Sequence, residues 1–422
     1  MRRFAGVGMN LRCGRRVLGI LVLCLIGVSC GDQYRPVAIP IVGPPPDPAA
    51  FHFVLVLSDN GTHDPGASSR LDVSGDTNIG VAQLGLGPAH AALTPNGSRV
   101  YVANSLEDTI SSYAPGTATS VTTTSLPAGS SPIFVHTTEN GKVYVANFGS
   151  NTVAAISTTT NVALSPLIHV GNQPVALAET PDQKKLYAVN QGDGTVSSIS
   201  LVDRTVGQTI ATGATPVWAV ARSDSARIYV LNSGSGTVSA IDTASDLPVG
   251  SVTVGVGANY MVYDSKLNRL YVTNPAANTL TVVNIAADPP TVLFTVPIAA
   301  SPTTVAVLPD GSRAYVASVS LSGGSATSQV TVVNATDGSV RTVIPLKSVS
   351  AACGTVRFEL FTAASADSSK VYVGNCDARN TSIIRTSDDI KVLDMAAPLS
   401  ANTPPNGGSP LPQNPVFVLA GP

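Results

Sequence analysis

Charge is the first thing in short supply: Asp, Glu, Lys and Arg make up 12% of the 422 residues, about half the share in an ordinary soluble domain. With 44% hydrophobic residues alongside, the chain can bury a large core and lacks the composition of a disordered segment. Tryptophan occurs once and aromatic residues reach only 5%, so any position where rings recur carries information. Histidine is limited to His52, His63, His90, His136 and His169, and cysteine to five positions. The motifs Gly-x-Ser-x-Gly, His-Glu-x-x-His and Cys-x-x-Cys-His are absent, which removes the usual support for a hydrolase elbow, a zincin or a c-type haem site. No apolar run reaches the length of a transmembrane helix, and no long amphipathic helical pattern follows residue 50.

The first thirty residues read as a targeting segment. Arg2, Arg3, Arg12, Arg15 and Arg16 precede an apolar run of 12 residues, Val17 to Val28, the length of a signal-peptide core. The run ends in Gly27-Val28-Ser29-Cys30-Gly31, which resembles a bacterial lipobox; Ser29 fits that pattern, whereas Gly27 stands where an aliphatic residue is usual. The expectation is a lipoprotein anchored through Cys30, with plain cleavage and secretion as the alternative. Residues 31–50, with Gly43-Pro44-Pro45-Pro46-Asp47-Pro48, read as a Pro-rich tether. Without the leader the chain keeps 19 basic against 26 acidic residues. A net charge of −7 suits neither nucleic acid nor electrostatic attachment to anionic lipid, so any membrane attachment is expected through the lipid anchor alone.

What is plentiful is repetition. Tyr271-Val272-Thr273-Asn274 returns as Tyr101 to Asn104, Tyr144 to Asn147, Tyr187 to Asn190, Tyr229 to Asn232 and Tyr372 to Asn375, and Tyr315 to Ser318 lacks only the Asn. The tyrosines are spaced 43, 43, 42, 42, 44 and 57 residues apart, a period that means a repeat architecture. One unit, Gln173 to Thr212, holds four short strands: Pro174–Ala178 (A), Lys185–Val189 (B), Thr195–Leu201 (C) and Val206–Ala211 (D), joined by turn sequences such as Pro181-Asp182-Gln183. Four antiparallel strands in about 42 residues are one propeller blade. Phe51 to Leu57 reads as a B strand with no A before it, and Pro415 to Ala420 as an A strand with no B after it. A closing blade built from 51–86 plus 415–420 follows, within a propeller spanning 51–422. Counting B strands gives eight blades. The stretch near Asp394 shows no clear D strand, which keeps seven blades open.

These rows resemble the YVTN β-propeller repeat family, which Tyr271 to Asn274 matches letter for letter, over about residues 50 to 422. The resemblance implies an exported or cell-surface propeller of surface-layer-like type. More distantly it implies kinship with lactonase-type propellers and the propeller domains of redox enzymes. The family is most often seven-bladed, so a count of eight departs from it.

Few residues are placed to carry chemistry. The position 11 residues before each B-strand tyrosine holds His90, Ala176, Trp218, Tyr260, Thr304 and Phe361; Phe134 joins with a shorter turn and Phe417 from the closing strand. Phe134, Trp218, Tyr260, Phe361 and Phe417 are candidates to stack on a ligand at the channel mouth, although packing between blades explains the same layer. His90 and His136, on adjacent A strands, are the one hint of an acid–base pair. A lactonase-like enzyme would add Glu179 as base, with Arg222 and Asp264 near the same strand ends, where charged residues are ordinarily just solvated. Asp193-Gly194 could touch Ca²⁺, but no full ligand set follows it, so neither a metal nor a cofactor is expected. Cys353 and Cys376 fall at the start of one A strand and the end of its neighbouring B strand, where a disulfide would close a loop of about 23 residues and contribute about 3 kcal/mol.

The sequence is therefore read as an all-β, exported, lipid-anchored propeller that binds an envelope protein, a saccharide or a small molecule. A lactonase-like hydrolase of the periplasm or cell surface is the alternative, and a scaffold for a redox partner is a third. No nucleic-acid partner is expected.

Overall fold

Thirty-two strands in register with the tyrosine rows build the ring. The computed structural model describes residues 53–59, 64–116, 120–322, 325–347, 360–400 and 413–421. The leader, the tether, Cys30, His52, His63 and Cys353 lie outside the described residues. The described strands form eight antiparallel sheets of four. Blade 1 takes its inner strand, Asn414–Ala420, from the far end of the chain and its other three, Phe53–Asp59, Ala67–Asp72 and Thr77–Gln83, from the near end. Leu55 faces Leu419 and Leu57 faces Phe417 across that junction. Blades 2 to 8 follow in order, each running A, B, C, D from the axis outward.

The blade near Asp394 does have a D strand, Ile390–Ala396, and the count of eight holds. Its sequence hid it because D strands form the outer rim, where little is buried: Ile390, Val392 and Leu393 are all exposed. The B strands lie at the other extreme. Val100–Asn104 is buried throughout, as are the last five residues of Lys142–Asn147 and Arg269–Asn274, so these strands read as continuous apolar runs rather than alternating ones.

The tetrapeptide row has a separable job for each end. Its tyrosines are all fully buried, on the face each blade turns to the next. Its asparagine closes the B–C hairpin: Asn190 Nδ2 donates to Thr195 Oγ1 at 3.1 Å and Ser197 Oγ at 2.9 Å, and Asn104 and Asn232 bond the same two positions of their own blades. In blade 7, where Ser318 replaces the Asn, strands Arg313–Ser322 and Ser325–Asn334 pair for ten residues each. The pairing thus runs on past the position at which the other blades turn, and no side chain is needed at that corner.

Candidate functional site

Two candidate sites are positioned by the A strands. Each A strand enters at the face carrying the B–C loops and leaves at the face carrying the A–B and C–D turns. Residues two apart on it point the same way.

The predicted aromatic register forms a closed circuit of ring contacts. Centroid separations are 3.9 Å for His90–Phe134, 5.6 Å for Phe134–Trp218, 4.8 Å for Trp218–Tyr260 and 5.6 Å for Tyr260–Phe361, with 4.5 Å for both Phe361–Phe417 and His90–Phe417. Two of these contacts bridge blades whose own residue is small, Ala176 and Thr304, so the rings gather round the axis. Phe134, Tyr260, Phe361 and Phe417 are buried, while His90 and Trp218 stay half-buried. Above this collar, on the B–C loop face, is a depression of about 310 Å³. Its floor comes from the residues preceding the collar (Ile133, Val175, Val217 and Asn259), and its wall from Phe148, Gln191 and Ser233, each following a row Asn. An apolar concavity with a few amide and hydroxyl groups is the ordinary form of a small-ligand seat.

The second site lies beyond the collar, toward the turns. His136 stands two residues past Phe134 and opposite Tyr144 in the A–B register, so both project from the face that blade 3 turns to blade 4. There His136 Nε2 meets Glu179 Oε2 of blade 4 at 2.8 Å, with side-chain exposures of 30% and 11%. The structure thus joins His136 to Glu179. His90 is engaged otherwise: its ring stacks on Phe134 and Phe417, and its Nδ1 accepts from the backbone N–H of Val135 at 3.4 Å. Three buried polar atoms of this seam have no hydrogen-bond partner: Glu179 Oε1, the Tyr144 hydroxyl and an Arg204 guanidinium nitrogen, Nη1. Burial pushes the Tyr144 hydroxyl up to about 12, with Arg204 pulling it down and Glu179 pushing it up.

The other charged candidates are used by the fold. Arg222 pairs with Asp224 at 2.9 Å and donates to Tyr229 and to the Ile285 carbonyl. Asp264 accepts from the backbone N–H groups of Lys266 and Leu267, and Asp193 accepts from Asn172 twice at 2.6 Å. Among the described residues no three His, Cys, Asp or Glu side chains converge as a metal site would require. Cys376 is buried at the end of its B strand. Sequence reasoning missed Tyr144 and Arg204; the available signal was Arg204 at a turn corner where blades 1, 3, 5 and 8 carry Asp76, Asn161, Asp246 and Asp389.

A family model described as a YNCE-like beta-propeller matches residues 81–255. No curated protein sequence matches the chain. Among solved structures, the dihydro-heme d1 dehydrogenase NirN, in complex with DHE, is similar with a TM-score of 0.68 and 11% identity, over 90% of this chain and 78% of its own. Apo AztD from Citrobacter koseri gives 0.60 at 11% identity, over 88% and 98%. The periplasmic gluconolactonase PpgL of Pseudomonas aeruginosa gives 0.55 at 16% identity, over 71% and 96%. The chain thus has a β-propeller fold akin to the YNCE-like and lactonase-type propellers; at these identities the likeness is one of fold.

Proposed function

We propose that the protein is an exported, lipid-anchored envelope propeller of YVTN-repeat type that hydrolyses a lactone-like ester at the His136–Glu179 pair. The 2.8 Å contact between His136 and the nearly buried Glu179 carries this reading. Glu179 accepts the Nε2–H of His136 and fixes the imidazole tautomer, which leaves Nδ1 to take a proton from water. The hydroxide so formed adds to the lactone carbonyl, the ring C–O bond breaks, and the proton passes from Nδ1 to the departing alkoxide, giving one hydroxy acid per water consumed. Lactonase-type names among the fold's relatives support the choice of substrate class.

With residues 31–422 and δ-gluconolactone or a simple γ-lactone, turnover above the buffer rate is expected. His136→Ala should lower kcat by about 10²–10⁴-fold, and Glu179→Gln should lower it with KM little changed. A wild-type rate equal to buffer, or an unaltered rate in His136→Ala, ends this reading.

The depression above the collar favours a second reading, a binding module without turnover. Ile133, Val175, Val217 and Asn259 would then floor the seat for a saccharide, peptide or other small ligand, backed by the ring layer of Phe134, Trp218, Tyr260, Phe361 and Phe417. Ligand-induced stabilisation that is lost in Trp218→Ala, with no substrate consumed, would select it. Export is checked separately by the mass of the protein extracted from membranes. We expect a chain that begins at a diacylated Cys30 and, without reductant, a linked Cys353–Cys376 peptide pair; an unlipidated start removes the anchor, and free thiols remove the disulfide.

A further inference from the structure

Several seams between blades are laced by one device, and the seam between blades 3 and 4 puts an arginine where that device has an acceptor. The residue closing the C–D turn is left-handed and bonds its N–H to the carbonyl four residues back: Asp76 (φ 51°), Asn161 (54°), Arg204 (61°) and Asp246 (56°). Where that side chain can accept, it takes a hydrogen bond from the buried tyrosine of the preceding blade, from the cation two residues ahead of that tyrosine, or from both; Asp76 takes only the cation, Lys370. Between blades 4 and 5, Tyr187 donates to Asp246 at 2.6 Å and Lys185 Nζ lies 2.8 Å from it. Between blades 7 and 8, Tyr315 and Arg313 both bond Asp389. Between blades 2 and 3, Tyr101 donates to Asn161 at 2.8 Å. In these three seams the corner supplies an acceptor to buried donors, whereas between blades 6 and 7 the corner is Gly338 and the Tyr271 hydroxyl has no partner.

Between blades 3 and 4 the corner is Arg204, which supplies more donors. The left-handed conformation costs an ordinary side chain about 1 kcal/mol and suits Asn or Asp far better, so local geometry does not explain an arginine there. The Tyr144 hydroxyl is fully buried and has no acceptor, and Arg204 Nη1 is buried without one. Lys142 occupies the register of Lys185. Among the described residues the Ser165 carbonyl accepts from Arg204 Nη2 at 3.3 Å, and the one carboxylate nearby is Glu179, whose Oε2 is held by His136 and whose Oε1 has no partner. A seam with two cations and one carboxylate favours a singly charged anion over a doubly charged one.

We infer that the seam between blades 3 and 4 is a binding site for a small monocarboxylate, held by the Tyr144 hydroxyl and the Arg204 guanidinium as Asp246 and Asp389 are held in their seams. This goes beyond the hydrolytic reading and does not depend on it, because it is tested by stability rather than turnover.

The test compares melting midpoints of residues 31–422 in sodium acetate and sodium chloride at equal ionic strength and pH. Acetate at saturating concentration should raise the wild-type midpoint by about 2–5 °C, with inorganic phosphate giving less. Arg204→Asp, which restores the acceptor found in other seams, should melt above the wild type in chloride and show no acetate response. Should that variant fold poorly, Tyr144→Phe is expected to lose the response as well, and the ¹³C line width of labelled acetate reports binding directly. Identical midpoints in acetate and chloride, without acetate line broadening, would mean that Glu179 turns to satisfy Arg204 and Tyr144 internally, and the inference fails. A response retained in Arg204→Asp or in Tyr144→Phe also overturns it.

Discussion

A chain ending at Gln413 is expected to lose cooperative unfolding altogether. The removed strand, Asn414–Ala420, is the inner strand of blade 1 and pairs with Phe53–Asp59 along its length. Its loss exposes an unpaired edge on Val54 to Leu57, which are among the most buried residues of the core, and a bare apolar edge invites aggregation. Phe417 leaves the collar, where its ring touches His90 and Phe361. Val418 leaves its seat on blade 8, where a Cβ on Gly374 would come within 2.9 Å of Val418 Cγ2. Deleting a buried Phe and two or three aliphatic side chains costs on the order of 5–10 kcal/mol, comparable to the whole stability of a domain. Calorimetry should show a broad, low-enthalpy transition in place of a sharp one, and Phe417→Ala alone should cost about 3–5 kcal/mol. A truncated chain that melts sharply within a few degrees of the full one would show that the ring does not need this strand.

The second large effect is expected at Asp389. Its side chain is 2% exposed and accepts from Tyr315 and from the guanidinium groups of Arg313 and Arg341. Arg341 is half exposed and Arg313 is not, at 51% and 16%, so the Arg313–Tyr315 side bears the consequence. Asp389→Ala strands a buried cation and a buried hydroxyl and should cost about 3–5 kcal/mol. Replacing Arg313 and Asp389 together by Met and Leu should cost much less, because no lone charge is then left inside. The internal control is one residue away: Asp388 pairs with Arg385 at exposures of 38% and 49%, and its loss should leave the urea midpoint nearly unchanged, because solvent screens an exposed pair. Urea midpoints of the three variants decide the matter. Equal costs at Asp388 and Asp389 would refute the seam as a stabilising device.

The ring was legible from the rows because a period near 42 residues, turn chemistry and two half-blades leave a propeller as the consistent solution. The eighth D strand was obscure because an outer strand with a solvated rim carries no burial pattern. The collar register was also legible, since rings are too scarce here to recur by chance. Its closure round the axis was not, because period two assigns a face and not the distance to a neighbouring blade. His136 and Glu179 were each picked out, but their meeting depends on the offset between blades. Arg204 was missed for a different reason. Its meaning lies in what the same corner holds elsewhere, and that comparison needs the turns superposed.

The closing blade also orders events in time. Lys370 bonds Asp76 across 294 residues of chain, and Leu55 waits for Leu419. Contacts of such separation form slowly, because the chain must first surrender its freedom over the whole intervening length. During synthesis, strand Phe53–Asp59 emerges long before its inner partner and must pass that interval with one edge unmatched. A chain carried through a membrane unfolded would meet the same constraint on the far side. Completion of the ring then marks the moment at which the protein stops being a target for proteases and other sticky strands.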